Sequence, residues 1–190
     1  MIPRYTRPEM GRIWSEENGF QKWLDVEILA AEGLSKLGKV PQAAIVRIRK
    51  RARFDVKRIR EIEAEVKHEI IAFLSSVAES IGDDARYLHV GMTSSDVMDT
   101  ALAIQFKEAS AILEQDLKNL LQVLRRQAHK YKHTVMIGRT HGVHAEPITF
   151  GLKLAVWYQE TLRNLERFKR AVEDIGVGQI SGAVGTFAQI

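Results

Sequence analysis

The feature that most constrains the fold of this chain is a long stretch without a helix-breaking residue. From Ser95 to about Lys132 the sequence contains neither proline nor glycine. At 1.5 Å per residue, this stretch predicts a helix about 55 Å long. Helices of that length without internal stops usually belong to bundles or coiled coils. The apolar positions recur at helical spacing, and they are Leu102, Phe106, Ile112, Leu113, Leu117, Leu120, Leu121, Leu124 and Ala128.

A second long amphipathic helix is predicted to begin after Pro147 and to end near Gly176. Its positions at helical spacing are Leu154, Tyr158, Thr161, Leu165, Phe168, Val172 and Ile175. Two such helices cannot bury their apolar faces by packing on each other alone. The chain does not contain enough further helices to cover those faces. We therefore expect oligomerisation, truncation or both.

The first third of the chain predicts shorter helices. The Thr6–Glu9 segment has the form of a capping box with proline in the first turn, so a short helix should open there and stop near Gly19. The next helix should run from Phe20 to Leu37, because Gly38 is a natural stop.

Pro41 should begin another helix, and Asp55 should cap the one after it. The helix capped by Asp55 should end at residues 82–84. The apolar residues that form its buried face recur at intervals of three and four, and they are Ile59, Ile62, Val66, Ile70, Phe73 and Val77. The predicted fold is therefore all-α. Residues 1–93 form an N-terminal domain of short helices, and residues 94–190 form the first part of a truncated bundle of long helices.

The composition is that of an ordinary globular protein. Hydrophobic residues make up 45% and charged residues 27%, which excludes general disorder. The absence of cysteine excludes disulfides and thiolate sites and suits a cytoplasmic location. There is no apolar segment typical of a signal peptide and no run of about 18 apolar residues, so no membrane association is expected. The net charge of +4 mildly favours anionic ligands.

Groups capable of chemistry are concentrated in residues 137–151, between the two long helices. His141, His144, Thr140, an arginine, a glutamate and three glycines fall there. Connectors held by rigid elements often carry binding and catalytic groups, but a plain turn with histidines bonded to the backbone fits the same spacing. His141 is the stronger candidate for catalysis, because an imidazole can be protonated near neutral pH and can donate to a leaving group.

Three other segments allow both a structural and a functional interpretation. Residues 89–96 place hydroxyls and a carboxylate after a histidine and a glycine, which suits a helix N-cap and also an anion site. His68 should turn partly away from the stripe of its helix, either into solvent or into a neighbouring cleft. Arg4 and Tyr5 belong to a solvated arm or to an anion clamp.

No metal site and no nucleic-acid site is predicted. His129 and His133 are four residues apart and would suit two zinc ligands, but no third ligand accompanies them. The basic run from Arg47 to Arg53 lacks the motif of a nucleic-acid-binding module, so a solvated basic helix face is the favoured interpretation.

Two of these regions closely resemble signature segments of the adenylosuccinate lyase family, within the fumarase and aspartase superfamily. Residues 89–100 read HVGMTSSDVMDT, and residues 138–153 read GRTHGVHAEPITFGLK. The segments at 4–10 and 181–186, RYTRPEM and SGAVGT, are also similar to that family. The runs THGVHAEP and TSSDV are more specific to it than the glycine-arginine-threonine core that other members of the superfamily share.

The resemblance implies a homotetramer with a core of long helices and active sites assembled from more than one subunit. The reaction would be β-elimination of fumarate without a cofactor, from a phosphorylated succinyl-purine nucleotide. That substrate is adenylosuccinate, giving AMP, or the succinyl-carboxamide intermediate of purine biosynthesis (SAICAR, giving AICAR). His141 would be the general acid that protonates the departing nitrogen. The implied substrate-binding residues are Arg4 and Tyr5 at the phosphate, Lys67, His68, Glu69, His89, Thr93, Ser94 and Thr140.

Two departures from the family pattern matter. Glu69 stands where the family usually has aspartate. The family's general base is a serine in a mobile Ser-Ser-x-Met-Pro-x-Lys-x-Asn-Pro loop, and that motif does not occur in these 190 residues. We therefore expect the 190 residues alone to be essentially inactive. The alternatives are a sister fumarate-forming lyase of the same superfamily, or a non-catalytic helical association module or basic nucleic-acid binder.

Overall fold

The computed structural model describes residues 2–189, which form helices and one β-hairpin. Two 3-10 helices cover Pro3–Tyr5 and Gly82–Tyr87. The other elements are α1 (Pro8–Ile13), α2 (Glu16–Lys36), α3 (Gln42–Arg51), α4 (Val56–Val66), α5 (Glu69–Ile81), α6 (Ser94–Lys130), β1 (Val135–Thr140), β2 (Val143–Thr149) and α7 (Phe150–Ile175). The all-α class and both long helices are confirmed, whereas the hairpin was not predicted.

The chain divides into two compact units. The first, unit 1, contains Met1–Phe106 together with Gly176–Ile190, and the second, unit 2, contains Lys107–Ile175. Along the sequence, unit 2 therefore interrupts unit 1. The domain boundary that we expect after residue 93 remains a prediction. Within residues 2–189, no helix combines the length and the apolarity that crossing a membrane requires.

Four aromatic side chains form the centre of unit 1. The rings of Phe20 and Phe73 are stacked with centroids 5.8 Å apart, and Trp23 and Phe54 pack against them edge-on or tilted. Contacts of this kind contribute about 0.5–1.5 kcal/mol each beyond the burial of apolar area. They fix α2, α5 and the segment before α4 around one core.

The start of the chain differs in detail from its prediction. A helix begins at Pro8 as expected, but it ends at Ile13. The hydroxyl of Thr6 does not cap this helix, because it donates to the carbonyl of Ile2. Ser15 begins α2 by accepting a 3.2 Å hydrogen bond from the N–H three residues further on. Because this cap begins α2 before Gly19, Gly19 lies inside α2 and not between two helices.

The predicted helix that follows Asp55 is in fact two helices. Asp55 caps α4 as expected, with a 2.7 Å hydrogen bond from an N–H of the first turn. The backbone then becomes left-handed at Lys67, where φ is 55°, and α5 begins after His68. His68 is exposed, as one of the two alternatives for it expected, but the helix break and not its rotation on a continuous helix sets its position. Apolar spacing could not reveal the break, because Val66 and Ile70 keep the same interval across it.

The basic residues around α3 and α4 are engaged by carboxylates within unit 1. Arg47 makes a bidentate contact with the carboxylate of the buried Asp84: Nη2 donates to Oδ1 at 2.7 Å, and Nε donates to Oδ2 at 2.8 Å. These hydrogen bonds from Arg47 hold the pKa of the Asp84 carboxyl below its ordinary value. Arg49 contacts Glu32, and Arg58 contacts two further glutamates. Such pairing leaves less positive charge available to an external polyanion.

In unit 2, α7 begins in close contact with the end of α6. The N–H of Gly151 donates to the carbonyl of Tyr131 at 2.9 Å. A Cβ at Gly151 would lie 2.5 Å from the carbonyl oxygen of Ala128 and 2.6 Å from the Cα of Lys132. Only glycine fits this contact. Many apolar side chains of the two long helices are nevertheless exposed, including Leu113, Leu120, Val123, Leu152, Val156, Trp157 and Leu162.

The Gly151 contact predicts a strong effect of one added methyl group. Gly151→Ala should lower the free energy of unfolding by about 1–3 kcal/mol or more, because the Cβ meets rigid backbone. Gly19→Ala is the matched control, since nothing lies within 4 Å of its Cβ. That control should gain about 0.5–1 kcal/mol from helix propensity. Urea unfolding followed by circular dichroism measures both, and equal stability of the two variants would contradict the close contact.

Candidate active site

His141 lies at the tip of the β-hairpin. Thr140 pairs with Val143, so His141 and Gly142 form a two-residue loop, with φ values of 50° and 74°. Positive φ at both central positions is the signature of a type I′ hairpin turn, in which glycine and asparagine are usual. A histidine in the left-handed region is uncommon and is often found where function requires it. The turn holds an exposed imidazole on a short, defined connection.

A bulge lies just below this tip. Ile137 pairs with Pro147 and Arg139 pairs with His144, so β2 places two residues opposite Gly138. A Cβ at Gly138 would lie 2.5 Å from a carbonyl oxygen of β2, so a side chain is excluded there. Bulges redirect side chains and are frequent beside active sites. The connector between the two long helices, for which a plain turn is one of the two sequence-based interpretations, is thus a bulged hairpin.

A groove of about 540 Å³ follows the hairpin and the start of α7, entirely within unit 2. Its wall is mainly apolar, with Met136, Ile148 and Trp157 among its residues. Arg139 and Lys153 are the cations that line it. A mixed wall of this kind suits a ligand with an apolar ring and anionic groups.

Three of the predicted binding segments converge in unit 1 on a small apolar cluster. Val26, Ile70, Val97 and Ala101 are all buried and pack together. Ile70 is in the first turn of α5, next to His68 and Glu69. Val97 is in the first turn of α6, three residues after Ser94. Val26 precedes Glu27, whose carboxylate contacts His89. The cluster therefore brings the starts of α5 and α6 close to the His89 segment.

The break between α4 and α5 gives His68 a defined orientation. Its Nδ1 accepts a 3.5 Å hydrogen bond from the N–H of Ile71, which makes His68 the N-cap of α5. An accepting Nδ1 in a neutral imidazole requires the proton on Nε2. Lys67 and Glu69 flank it, and all three side chains are exposed. The turn thus presents a ring donor, an ammonium and a carboxylate together.

Asp96 connects the start of α6 to the glycine-rich segment after α7. Its buried carboxylate accepts hydrogen bonds of 3.0 Å from the backbone N–H groups of Thr93, Ser181 and Gly182, and a 3.5 Å bond from Gln179. Burial raises the pKa of the Asp96 carboxyl, but these hydrogen bonds outweigh it and hold the pKa below the ordinary value. Asp96 thus performs the capping, whereas a ligand role for Thr93 stays a prediction.

A second contact fixes the same segment to α6. The hydroxyl of Thr100 accepts from the N–H of Gln179 at 2.9 Å and donates to its carbonyl at 3.0 Å. A Cβ at Gly178 would lie 3.0 Å from the methyl group of Thr100. The glycine at this position therefore permits the returning chain to lie directly on the helix.

The other predicted site residues are distributed over both units. Arg4 and Tyr5 are at the 3-10 helix of unit 1, where the guanidinium lies 4.8 Å from the centre of the phenol ring. Thr140 and His141 belong to unit 2, whereas the remaining substrate-binding candidates belong to unit 1. Within residues 2–189, no group of three or more histidine, aspartate or glutamate side chains is arranged to hold a metal ion.

Glu27 is a residue of the site region that the sequence analysis missed. It is fully buried in α2, and its carboxylate contacts His89. A signal for it existed, because Glu27 occupies a position of the apolar stripe that includes Leu24, Ala31 and Leu34. A charged residue on the buried face of a helix is rare unless it is paired.

Comparison with known proteins identifies the class. A protein-family model described as "Lyase" matches residues 4–190, and the chain belongs to this lyase family. Over all 190 residues it is 54% identical to the adenylosuccinate lyase of Synechocystis sp. and 53% identical to that of Bacillus subtilis. Each match covers 100% of this chain and 44% of the relative. The chain thus spans less than half the length of these relatives and matches their N-terminal portion.

The fold agrees with that assignment. The crystal structure of a fumarate lyase from Mesorhizobium sp. BNC1 superposes with a TM-score of 0.89 at 29% sequence identity. The match covers 95% of this chain and 43% of that one. The fold neighbours are of the fumarase and aspartase type, as the resemblance implied.

The hydrogen bonds at Asp96 predict a pH-dependent loss of stability. The folded-state pKa is lowered, so the stabilisation is present above the ordinary value of 3.8 and is lost as the pH falls through the folded value. Asp96→Asn should lower the free energy of unfolding by about 1.5–3 kcal/mol at pH 7, and the difference should shrink below about pH 4. Urea unfolding between pH 3 and pH 7 measures this. The exposed Asp99→Asn is the control, and a pH-independent difference would contradict the role of the charge.

Proposed function

We propose that this chain supplies part of the active site of an adenylosuccinate lyase, as the N-terminal portion of such an enzyme. The reaction is elimination of fumarate from adenylosuccinate to give AMP, and from SAICAR to give AICAR. The observation that carries the proposal is the identity above 50% over the whole chain to enzymes of that name. The exposed imidazole of His141 on a strained hairpin tip supports it independently.

His141 is assigned the role of general acid. A base removes a proton from the carbon next to the succinyl carboxylate, the electron pair forms the double bond of fumarate, and the carbon–nitrogen bond breaks. The imidazolium of His141 then gives its proton to the departing nitrogen. The base belongs to a segment outside these 190 residues, so the chain alone should not turn over. No cofactor is required, because hydrogen bonds and positive charge can stabilise the carbanion.

The remaining candidates are assigned to substrate binding. Thr93 and Ser94 stand at the start of α6, where N–H groups and the helix dipole favour a carboxylate. Lys67, His68 and Glu69 stand at the start of α5. Arg4 and Tyr5 offer a guanidinium and a phenol to a phosphate, and Thr140 adjoins the general acid. We further propose a cytoplasmic homotetramer in which the exposed apolar faces of α6 and α7 pack against other subunits.

A sister lyase that forms fumarate from an unphosphorylated substrate is the second candidate. The observation that favours it is the similarity in fold to a fumarate lyase, at 29% identity. The two candidates differ in whether the substrate carries a phosphate, so they make opposite predictions for Arg4.

The role of His141 is testable in a chimera that joins residues 1–190 to the remaining C-terminal part of the Bacillus subtilis relative. The chimera should convert adenylosuccinate to AMP and fumarate, as followed by ultraviolet absorbance. His141→Ala should lower kcat by about 10²–10⁴-fold, because it removes the proton donor. His129→Ala, another exposed histidine, should leave kcat within about twofold. Full activity of His141→Ala would contradict the assignment of the general acid. Turnover by the 190 residues without the added part would contradict the expectation that they lack the general base.

The phosphate contact is testable in the same chimera. Arg4→Ala should lower kcat/KM for adenylosuccinate by about 10–100-fold, the value of a hydrogen bond between charged groups. It should change kcat/KM for the unphosphorylated nucleoside much less. Arg12→Ala, an exposed arginine of α1, is the control. Equal losses on both substrates would favour the sister lyase.

A further inference from the structure

Glu27 is a buried charge that the proposed chemistry does not use. Its side chain is fully buried in α2, where an unpaired carboxylate would cost several kcal/mol. Both of its oxygens are engaged by one residue. Oε2 accepts from the backbone N–H of His89 at 2.7 Å, and Oε1 lies 2.6 Å from the Nδ1 of the same residue. The carboxylate thus contacts the backbone and the ring of His89 at the same time.

The backbone of His89 is shaped for this contact. Its φ of 60° is in the left-handed region, which is unusual for a histidine outside a hairpin turn. That conformation lets the main chain and the ring of one residue point at one carboxylate. The side chain keeps about one fifth of its surface exposed, 21%, so the ring is held from within while part of it reaches solvent.

We propose that Glu27 is a positioning residue that determines which ring nitrogen of His89 meets a ligand. Nδ1–H donates to the carboxylate, so Nε2 is the nitrogen presented to the oxyanion of a bound nucleotide substrate. When the imidazole is protonated, Glu27 compensates its charge and Nε2–H is a donor to that oxyanion. The ligand in this inference rests on the proposed function, whereas the tautomer of His89 does not.

The two acceptor oxygens distinguish Glu27 from its nearest substitutes. Glu27→Gln keeps the shape but has one acceptor oxygen and one NH₂ group, so it cannot accept from both donors of His89. Glu27→Asp keeps two acceptors but withdraws them by one methylene group. The aspartate variant should therefore retain part of the positioning, and the glutamine variant should lose it.

The first test reads the tautomer of His89 directly and does not depend on catalytic activity. In the chain labelled with ¹⁵N-histidine, the ring shifts of His89 report which nitrogen carries the proton, and His89→Gln identifies its signals. We expect Nδ1 to carry a proton. A neutral ring protonated only at Nε2 would overturn the proposal, whatever the catalytic activity of the protein.

The second test concerns the ligand and uses AMP with the chimera described above. Glu27→Gln should weaken AMP binding by about tenfold, the cost of one lost charge-assisted hydrogen bond. It should have little further effect in a His89→Gln background, and Glu27→Asp should recover part of the loss. Glu17→Gln, an exposed glutamate of α2, is the control. Unchanged AMP affinity in Glu27→Gln, with activity still lost in His141→Ala, would overturn the positioning role and leave the proposed function intact.

Discussion

The buried carboxylate of Asp96 is the interaction that joins the two separate stretches of sequence that make up unit 1. The chain leaves unit 1 along α6 and returns to it after α7, and the returning segment is held by hydrogen bonds from Ser181 and Gly182 to that carboxylate. The same carboxylate binds the N–H of Thr93 and so caps α6. Within unit 1, one ionised group therefore holds both the beginning of the long helix and the segment that follows α7. Buried charges are stable only when satisfied in this way.

The candidate site is built on unusual backbone conformations. Within residues 2–189, four residues other than glycine have positive φ, namely Lys67, His89, His141 and Phe187. The first three are among the residues that we assign to the site. Such conformations cost free energy, and they persist where the surrounding structure enforces them. Here a helix break, a buried glutamate and a two-residue hairpin loop do so, and each gives one side chain a fixed orientation.

Much of the fold could be predicted from the sequence, because helix periodicity and capping act locally. The long helices, the Asp55 cap and the stop at Gly82 follow from such signals. The helix break at Lys67 and the pairing of β1 with β2 could not be predicted, since the first preserves the apolar spacing and the second depends on register. Three of the partners of Asp96, namely Gln179, Ser181 and Gly182, are more than 80 residues away along the chain, a distance that no local pattern spans.

The sequence indicates the candidate site residues more clearly than it indicates the residues that hold them in place. His141 and the segment from His89 to Asp96 carry concentrated polar groups, and the family similarity gives them expected roles. Glu27, which orients His89, lies among apolar residues of α2 and carries no motif. Its function depends on a contact with a residue 62 positions away.

The most direct measurement is a crystal structure of the chimera with AMP and fumarate bound. If His141 is the general acid, a nitrogen of its ring should lie about 3 Å from the amino nitrogen of AMP, with fumarate beside it. Another protonatable side chain at that position, with His141 out of reach of the nucleotide, would contradict the proposed role of the hairpin.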